Sequence, residues 1–150
     1  MAKTIATMIE SNKVINILLV DDDSLDVIDM QRTLNKMNIL HKTAIAKNGE
    51  EALEYLNHLG PDEPHPDVIL LDINMPKMNG IEFLTALRKK EEWKDLKVFI
   101  VTTSDERVDR DATKKLGISG YIVKPLKLNN PSSIDSFNLM IDLMNMKGGR

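Results

Sequence analysis

Short apolar segments alternate regularly along the chain with segments of helical periodicity, and this alternation limits the possible folds most strongly. Five runs rich in valine, isoleucine and leucine occupy residues 14–20, 39–46, 67–71, 97–101 and 120–123. Each run has the length of a strand, and a stretch with apolar residues every three or four positions lies after it. This pattern predicts an α/β fold in which five helices cover both faces of a parallel sheet.

Two of the predicted helices carry specific expectations. The first helix would begin near Ser24, a candidate N-cap, and would bury the apolar residues that follow it. The fourth, at residues 105–117, is very polar and would bury only Val108, Ala112 and Leu116. Because so little of it is apolar, the fourth helix is predicted to be mobile.

Length and composition indicate one ordered domain. The chain has 150 residues, of which 42% are hydrophobic and 29% charged, and it contains no cysteine. We predict a flexible tail at residues 1–13 and a single domain over residues 14–150. The net charge of −3 and the lack of a long basic run argue against nucleic acid or a membrane as partner. No apolar run approaches the roughly 20 residues of a membrane span, and a cytoplasmic protein is expected.

Polar side chains follow four of the five predicted strands. Asp21 to Asp23 come after the first strand, Asp72 after the third, Thr102 after the fourth and Lys124 after the fifth. A parallel sheet brings the carboxyl ends of its strands to one edge, which is where ligands bind in such folds. Residues that lie far apart in sequence are therefore expected to meet around one pocket.

These residue types suit phosphoryl transfer onto a carboxylate. Several aspartates in one pocket repel each other, and a hard divalent cation such as Mg²⁺ would offset that repulsion. Asp72 would serve as nucleophile, while Lys124 and the cation would stabilise charge on the phosphoryl oxygens. Thr102 would supply a hydroxyl that donates or accepts a hydrogen bond.

Four motifs, in this order, resemble the receiver domain of two-component response regulators. They are LLVDDDS, LLDINMPKMNG, IVTTS and GYIVKPL, and each lies at the end of a predicted strand. The resemblance covers roughly residues 14–146. It implies a flavodoxin-like doubly wound sheet with strand order 2-1-3-4-5.

The resemblance also implies roles for the pocket residues. Asp72 corresponds to the phosphoacceptor, and Asp21 and Asp22 to the acidic pair, with Asp22 as the more direct Mg²⁺ ligand. The backbone carbonyl of Asn74 would complete the metal site.

A second group of residues would report phosphorylation. Thr102 corresponds to the switch hydroxyl and Lys124 to the lysine that holds a phosphoryl oxygen. Tyr121 lies where the family has a rotating aromatic side chain. The protein would then be no enzyme in the usual sense, because it would catalyse only its own phosphorylation and dephosphorylation.

The expected phosphoryl donor is a sensor histidine kinase or a phosphotransfer protein. The proline-rich loop at residues 60–66 and the first two motifs resemble the single-domain subgroup that includes partners of phytochrome-type histidine kinases. Because nothing follows the fifth helix, output would run through protein contact or phosphorelay. Two apolar stripes at residues 132–146 predict that helix 4, strand 5 and helix 5 form the face of a homodimer or of another partner, unless the sheet and its loops bury both stripes.

Three other functions remain as alternatives. A metal-dependent phosphatase with an aspartyl-phosphate intermediate would often have a second aspartate two residues after the nucleophile, where this chain has Asn74. A flavodoxin would need a phosphate-binding loop after strand 1, where Asp21 to Asp23 would repel phosphate. A receiver that binds partners without phosphorylation would not need the intact set of pocket residues.

Overall fold

The structure is a computed structural model, and it describes residues 14–37, 39–73, 75, 77–103, 107–124 and 138. Five strands lie within these residues: β1 Ile15–Val20, β2 His41–Ala46, β3 Val68–Asp72, β4 Lys97–Thr103 and β5 Gly120–Lys124. Four α-helices lie between them: α1 Ser24–Lys36, α2 Gly49–Asn57, α3 Gly80–Arg88 and α4 Arg110–Lys115. A short 3₁₀-helix, Glu91–Trp93, precedes β4.

All five strands are parallel and form one sheet of order β2-β1-β3-β4-β5. This is the flavodoxin-like order that the family resemblance implied. The register aligns the carboxyl ends of the three central strands, because Val20 pairs with Leu71, and Asp72 pairs with Val101. Between β4 and the outer strand β5, Thr103 pairs with Lys124.

The sheet is covered on both faces, so each central strand is apolar on both sides. On one face, Val68 and Leu70 of β3 join the cluster that includes Val27 and Met30 of α1. On the other face, the remaining apolar residues of β3 pack with α2 and α3. This arrangement explains why β3 is a continuous apolar run rather than an alternating one.

The N-cap of α1 differs from the prediction. Asp23, not Ser24, caps the helix, and its side chain accepts hydrogen bonds from the backbone amides of Leu25 and Asp26. A carboxylate at this position also interacts favourably with the helix dipole. The cap holds the first turn of α1 against the carboxyl edge of the sheet.

The described part of the fourth helix is shorter than predicted. It spans Arg110–Lys115 instead of residues 105–117, and Asp109 caps it by accepting from the Ala112 amide. Its buried side chain is Thr113, whereas the predicted apolar residues are only partly buried. Residues 104–106 lie outside the described part of the chain.

Other predictions fall largely outside the described residues. The predicted tail at residues 1–13 is not described, and within the fifth predicted helix at residues 132–146 the description covers Asn138, which is helical. Four of the five predicted helices are therefore present in the described ranges. None of the described helices has both the length and the apolar character that a membrane crossing needs.

Candidate functional site

The strand register brings the predicted pocket residues to one edge of the sheet. Asp21 directly follows β1, and Asp72 is the last residue of β3, its immediate neighbour. Thr102 lies one residue beyond the Val101 that pairs with Asp72, and Lys124 ends β5. Residues separated by about a hundred positions along the chain thus surround a common pocket.

Three carboxylates form an acidic cluster in this pocket. Ligand oxygens of Asp21, Asp22 and Asp72 all lie within 4.8 Å of one another. Asp21 and Asp72 are buried, whereas Asp22 is exposed. Burial raises the pKa of Asp21, although a hydrogen bond from the Asp23 amide and the charge of Lys124 oppose this effect.

The donor set fits a divalent cation. Three oxygen ligands that converge from two adjacent strands match the carboxylate sites that hard cations prefer, with water completing the coordination. A bound cation would also relieve the cost of holding two buried carboxylates beside an exposed one. Asn74, the predicted backbone ligand, lies outside the described residues.

Lys124 provides the positive charge of the pocket. Its ammonium nitrogen lies 3.9 Å from a carboxylate oxygen of Asp72 and 3.5 Å from one of Asp21. The shortest contact, 2.6 Å, is a hydrogen bond to Asp26. Burial by itself lowers the pKa of Lys124, but the hydrogen bond to Asp26 and the charges of Asp72 and Asp21 outweigh burial, so the pKa is raised.

Thr102 is buried near the end of β4, the strand next to β3, with 4% of its surface exposed. Its hydroxyl donates a hydrogen bond of 3.2 Å to the backbone carbonyl of Thr103. This hydrogen bond is long and joins two neutral groups. A charged acceptor nearby would form a stronger bond, and the Thr102 side chain could then change its rotamer.

Tyr121 lies on β5 and contacts two residues of α4. Its hydroxyl forms a 2.5 Å hydrogen bond with the hydroxyl of Thr113. The guanidinium of Arg110 lies 4.3 Å from the centre of the tyrosine ring, a cation–π distance. Tyr121 therefore joins β5 to the short α4 helix through two separate contacts.

Gly80 explains how the loop after β3 returns so closely to Asp72. The Gly80 amide donates to the carbonyl of Ile73. A Cβ atom at Gly80 would lie 2.9 Å from the Ile73 Cα and 3.1 Å from the Asp72 carbonyl oxygen. The N-terminus of α3 can thus approach the pocket backbone only because residue 80 has no side chain.

Asp26 is the pocket residue that sequence reasoning missed. It lies in the first turn of α1, and its carboxylate makes the shortest contact to Lys124. The available signal was its position: α1 begins at the carboxyl edge of the sheet, so an acidic residue in its first turn lies near the strand ends. No strand ends at Asp26, and reasoning from strand ends therefore passed over it.

Comparison with known proteins identifies the family. A family model for the response regulator receiver domain matches residues 17–132, which is most of the chain. The chain belongs to the response regulator receiver family. Its predicted place in two-component signal transduction is thereby confirmed.

Individual relatives agree with this assignment. Response regulator Rcp1 of Synechocystis sp. is 34% identical over 123 residues, which cover 81% of this chain and 84% of Rcp1. A crystal structure of a two-component response regulator from Legionella pneumophila is 38% identical, with a TM-score of 0.70, and covers 86% of this chain and 97% of that one.

Two further solved structures are those of individually named response regulators. The bacteriophytochrome response regulator RtBRR is 31% identical, with a TM-score of 0.72, over 87% of this chain and 78% of that one. The Mn²⁺-bound form of Rcp1 is 32% identical, with a TM-score of 0.68, over 83% of this chain and 94% of that one.

Proposed function

We propose that Asp72 of this receiver accepts a phosphoryl group from a phosphohistidine of a sensor histidine kinase or a phosphotransfer protein. One observation carries the proposal: Asp72 is buried at the end of β3, within the carboxylate cluster and 3.9 Å from the Lys124 ammonium. A buried carboxylate with both like and opposite charges around it is typical of a reactive group.

The chemical step forms one bond and breaks another. A carboxylate oxygen of Asp72 attacks phosphorus opposite the phosphohistidine nitrogen, and a phosphorus–oxygen bond forms as the phosphorus–nitrogen bond breaks. The electron pair of the broken bond stays on that nitrogen. With a proton on its other nitrogen, the histidine leaves as neutral imidazole.

Asp21, Asp22 and Asp72 would hold a divalent cation, for which we propose Mg²⁺. When bound, the cation supplies positive charge for the phosphoryl oxygens. The related protein Rcp1 has been solved in a Mn²⁺-bound form, which supports a divalent cation here. The backbone carbonyl of Asn74 remains a predicted ligand.

Two other side chains would act on the phosphoryl group. The Lys124 ammonium, which already neighbours Asp72 and Asp21, would move onto a phosphoryl oxygen as negative charge accumulates there. The Thr102 hydroxyl would exchange its 3.2 Å bond to the Thr103 carbonyl for a bond to the charged phosphoryl oxygen.

Tyr121 would carry the change to the surface. Inward rotation of its ring would break the hydrogen bond to Thr113 and remove the ring from under Arg110. The described part of α4 buries only one side chain, so losing these contacts would shift α4 toward a second conformation. The switched surface would include α4 and β5.

The family and its named members support our proposal for the partners. Similarity to the bacteriophytochrome response regulator RtBRR supports a phytochrome-type histidine kinase as the phosphoryl donor. We place the reaction in the cytoplasm, and we assign the protein no catalytic activity beyond its own phosphorylation and dephosphorylation. Homodimerisation through α4, β5 and the predicted fifth helix also stays a proposal, and sedimentation with and without a phosphoryl donor tests it.

The test of the phosphoacceptor is intact mass spectrometry after incubation with acetyl phosphate and Mg²⁺. The wild type is expected to gain one phosphoryl group, Asp72→Asn to gain none, and chelation of the metal to prevent the gain. Asp29→Asn is the matched control, because Asp29 is exposed on α1 and belongs to no described carboxylate cluster. Labelling of Asp72→Asn, or no labelling of the wild type, would refute the proposal.

A further inference from the structure

The Lys124 ammonium is shared unevenly among three carboxylates. Its nitrogen lies 2.6 Å from Asp26, 3.5 Å from Asp21 and 3.9 Å from Asp72. The contact with Asp26 has the length of a charge-assisted hydrogen bond, whereas the contacts with Asp21 and Asp72 are longer ion pairs. In the unphosphorylated protein, Lys124 is therefore held mainly by α1 and not by the phosphoacceptor.

Asp26 lies on the solvent side of the ammonium. Its side chain is 30% exposed, compared with 9% for Asp21 and 6% for Asp72. The Asp23 cap, which also accepts from the Asp26 amide, fixes the turn that presents this carboxylate. Asp26 is not a member of the metal-binding cluster found among the described residues, so its contact in the pocket is with the lysine.

Phosphorylation would change the balance among these contacts. A phosphoryl group brings between one and two negative charges and three strong acceptor oxygens to Asp72. To bond these oxygens the ammonium would move toward Asp72, and its shortest hydrogen bond, to Asp26, would lengthen or break.

We propose that Asp26 is a positioning residue that retains Lys124 at the outer side of the pocket and thereby opposes phosphorylation of Asp72. The inference rests on the proposed function, since it assigns Asp26 a part in the same reaction. Asp26 acts through Lys124 and does not contact the reacting atoms.

The first experiment measures the initial rate of phosphorylation by acetyl phosphate in Mg²⁺. Asp26→Asn keeps the side-chain shape but removes the charge, and it is expected to react about three- to tenfold faster than the wild type, the factor expected when a charge-assisted hydrogen bond becomes a neutral one. Asp26→Glu retains the charge and should return the rate to near the wild-type value. Asp29→Asn, one turn further along α1, should leave the rate unchanged.

An increase in rate separates positioning from a structural role, because a damaged pocket would react more slowly. A rate for Asp26→Asn that equals or falls below that of the wild type would overturn the inference. An equal increase in Asp29→Asn would also overturn it, because a general effect of charge on the donor anion would then explain the result.

The second experiment is a crystal structure of Asp26→Asn without a phosphoryl donor. The Lys124 nitrogen is expected to lie within hydrogen-bond distance of Asp72, closer than the present 3.9 Å. An unchanged lysine would refute the inference while leaving the proposed function intact. Absence of labelling in the wild type and in all variants would instead refute the proposed function, and the inference with it.

Discussion

A partly buried cation lies near each end of the parallel strands, Lys124 at the carboxyl edge and Arg88 at the opposite edge, where the strands begin, which we call the amino edge. The two cations have different partners. At the carboxyl edge, Lys124 faces three carboxylates at distances from 2.6 to 3.9 Å. At the amino edge, Arg88 at the end of α3 donates to four backbone carbonyls at distances from 2.7 to 3.1 Å. Those carbonyls belong to the segments that lead into β4 and β5.

The difference distinguishes a movable cation from a fixed one. The planar guanidinium of Arg88 matches its donors to separate acceptors, so any movement breaks several hydrogen bonds. The ammonium of Lys124 is a point charge, and it can move from one neighbouring carboxylate to another by giving up a single hydrogen bond. Burial lowers the pKa of Arg88, with an opposing effect of Asp95, whereas the surrounding acids leave the pKa of Lys124 raised.

The largest expected effect comes from removing the movable cation. Lys124→Met should slow phosphorylation by acetyl phosphate about 100-fold, the order expected for losing one donor to a developing anion. The free energy of unfolding with saturating Mg²⁺ should change by less than about 1 kcal/mol, since the metal offsets the repulsion among the carboxylates. Initial rates and urea unfolding measure the two quantities. If Lys124→Met also lowered the free energy of unfolding as much as Arg88→Met does, the contrast between the two edges would be lost.

Removal of the fixed cation should have the opposite profile. Arg88→Met should lower the free energy of unfolding by about 2–3 kcal/mol, because four carbonyls lose a charged donor and only some regain water. The rate of phosphorylation at a temperature where the variant is folded should stay within about twofold of the wild-type rate. Arg88→Lys should recover little stability, because one ammonium cannot reach both segments. A large loss of rate in the folded variant would show that the edges are coupled.

Helix α3 runs from Gly80 at the carboxyl edge to Arg88 at the amino edge. A substitution at Gly80 tests how its packing affects the pocket. Gly80→Ala would place a Cβ atom 2.9 Å from the Ile73 Cα, so the backbone beside Asp72 must move. We expect a loss of about 1–2 kcal/mol in unfolding free energy and a slower phosphorylation rate. Gly60→Ala is the control, because the closest atom there belongs to the flexible Glu63 side chain. Unchanged rates in Gly80→Ala would mean that the pocket tolerates this shift.

The sequence predicted the carboxyl edge far better than the amino edge. A parallel sheet has only one place for the ends of its strands, so Asp21, Asp72 and Lys124 could be assigned to one pocket from their order alone. Asp26 was missed because its direction depends on how α1 rotates to bury its apolar face. That rotation is set by tertiary packing and not by local sequence.

Arg88 could not have been predicted, because its partners are backbone carbonyls. Every residue has a carbonyl, so no residue type near Trp93, Leu96 or Leu116 signals that a guanidinium will bind there. The cap of α1 was misplaced by one residue, at Ser24 instead of Asp23, because both types cap helices and the strand end had to be known first.

The smallest expected effect concerns His41, which begins β2 at the amino edge. One of its two ring nitrogens has a hydrogen-bond partner and the other has none among the described residues. Its Nε2 lies 3.1 Å from the Asn35 side-chain oxygen, but its Nδ1 is buried without a hydrogen-bond partner among the described residues. Burial lowers the pKa of His41 from its ordinary value of 6.5. The unfolded chain therefore binds a proton more readily than the folded chain as the pH falls.

The contribution of His41 to stability should be complete above pH 6.5, the ordinary pKa of histidine, and should decline as the pH falls through the lower pKa of the folded state. Urea unfolding between neutral and mildly acidic pH measures this slope. His41→Gln should make the slope shallower, because it removes the buried imidazole. An unchanged slope in His41→Gln would mean that burial of this imidazole does not contribute to the pH dependence of stability.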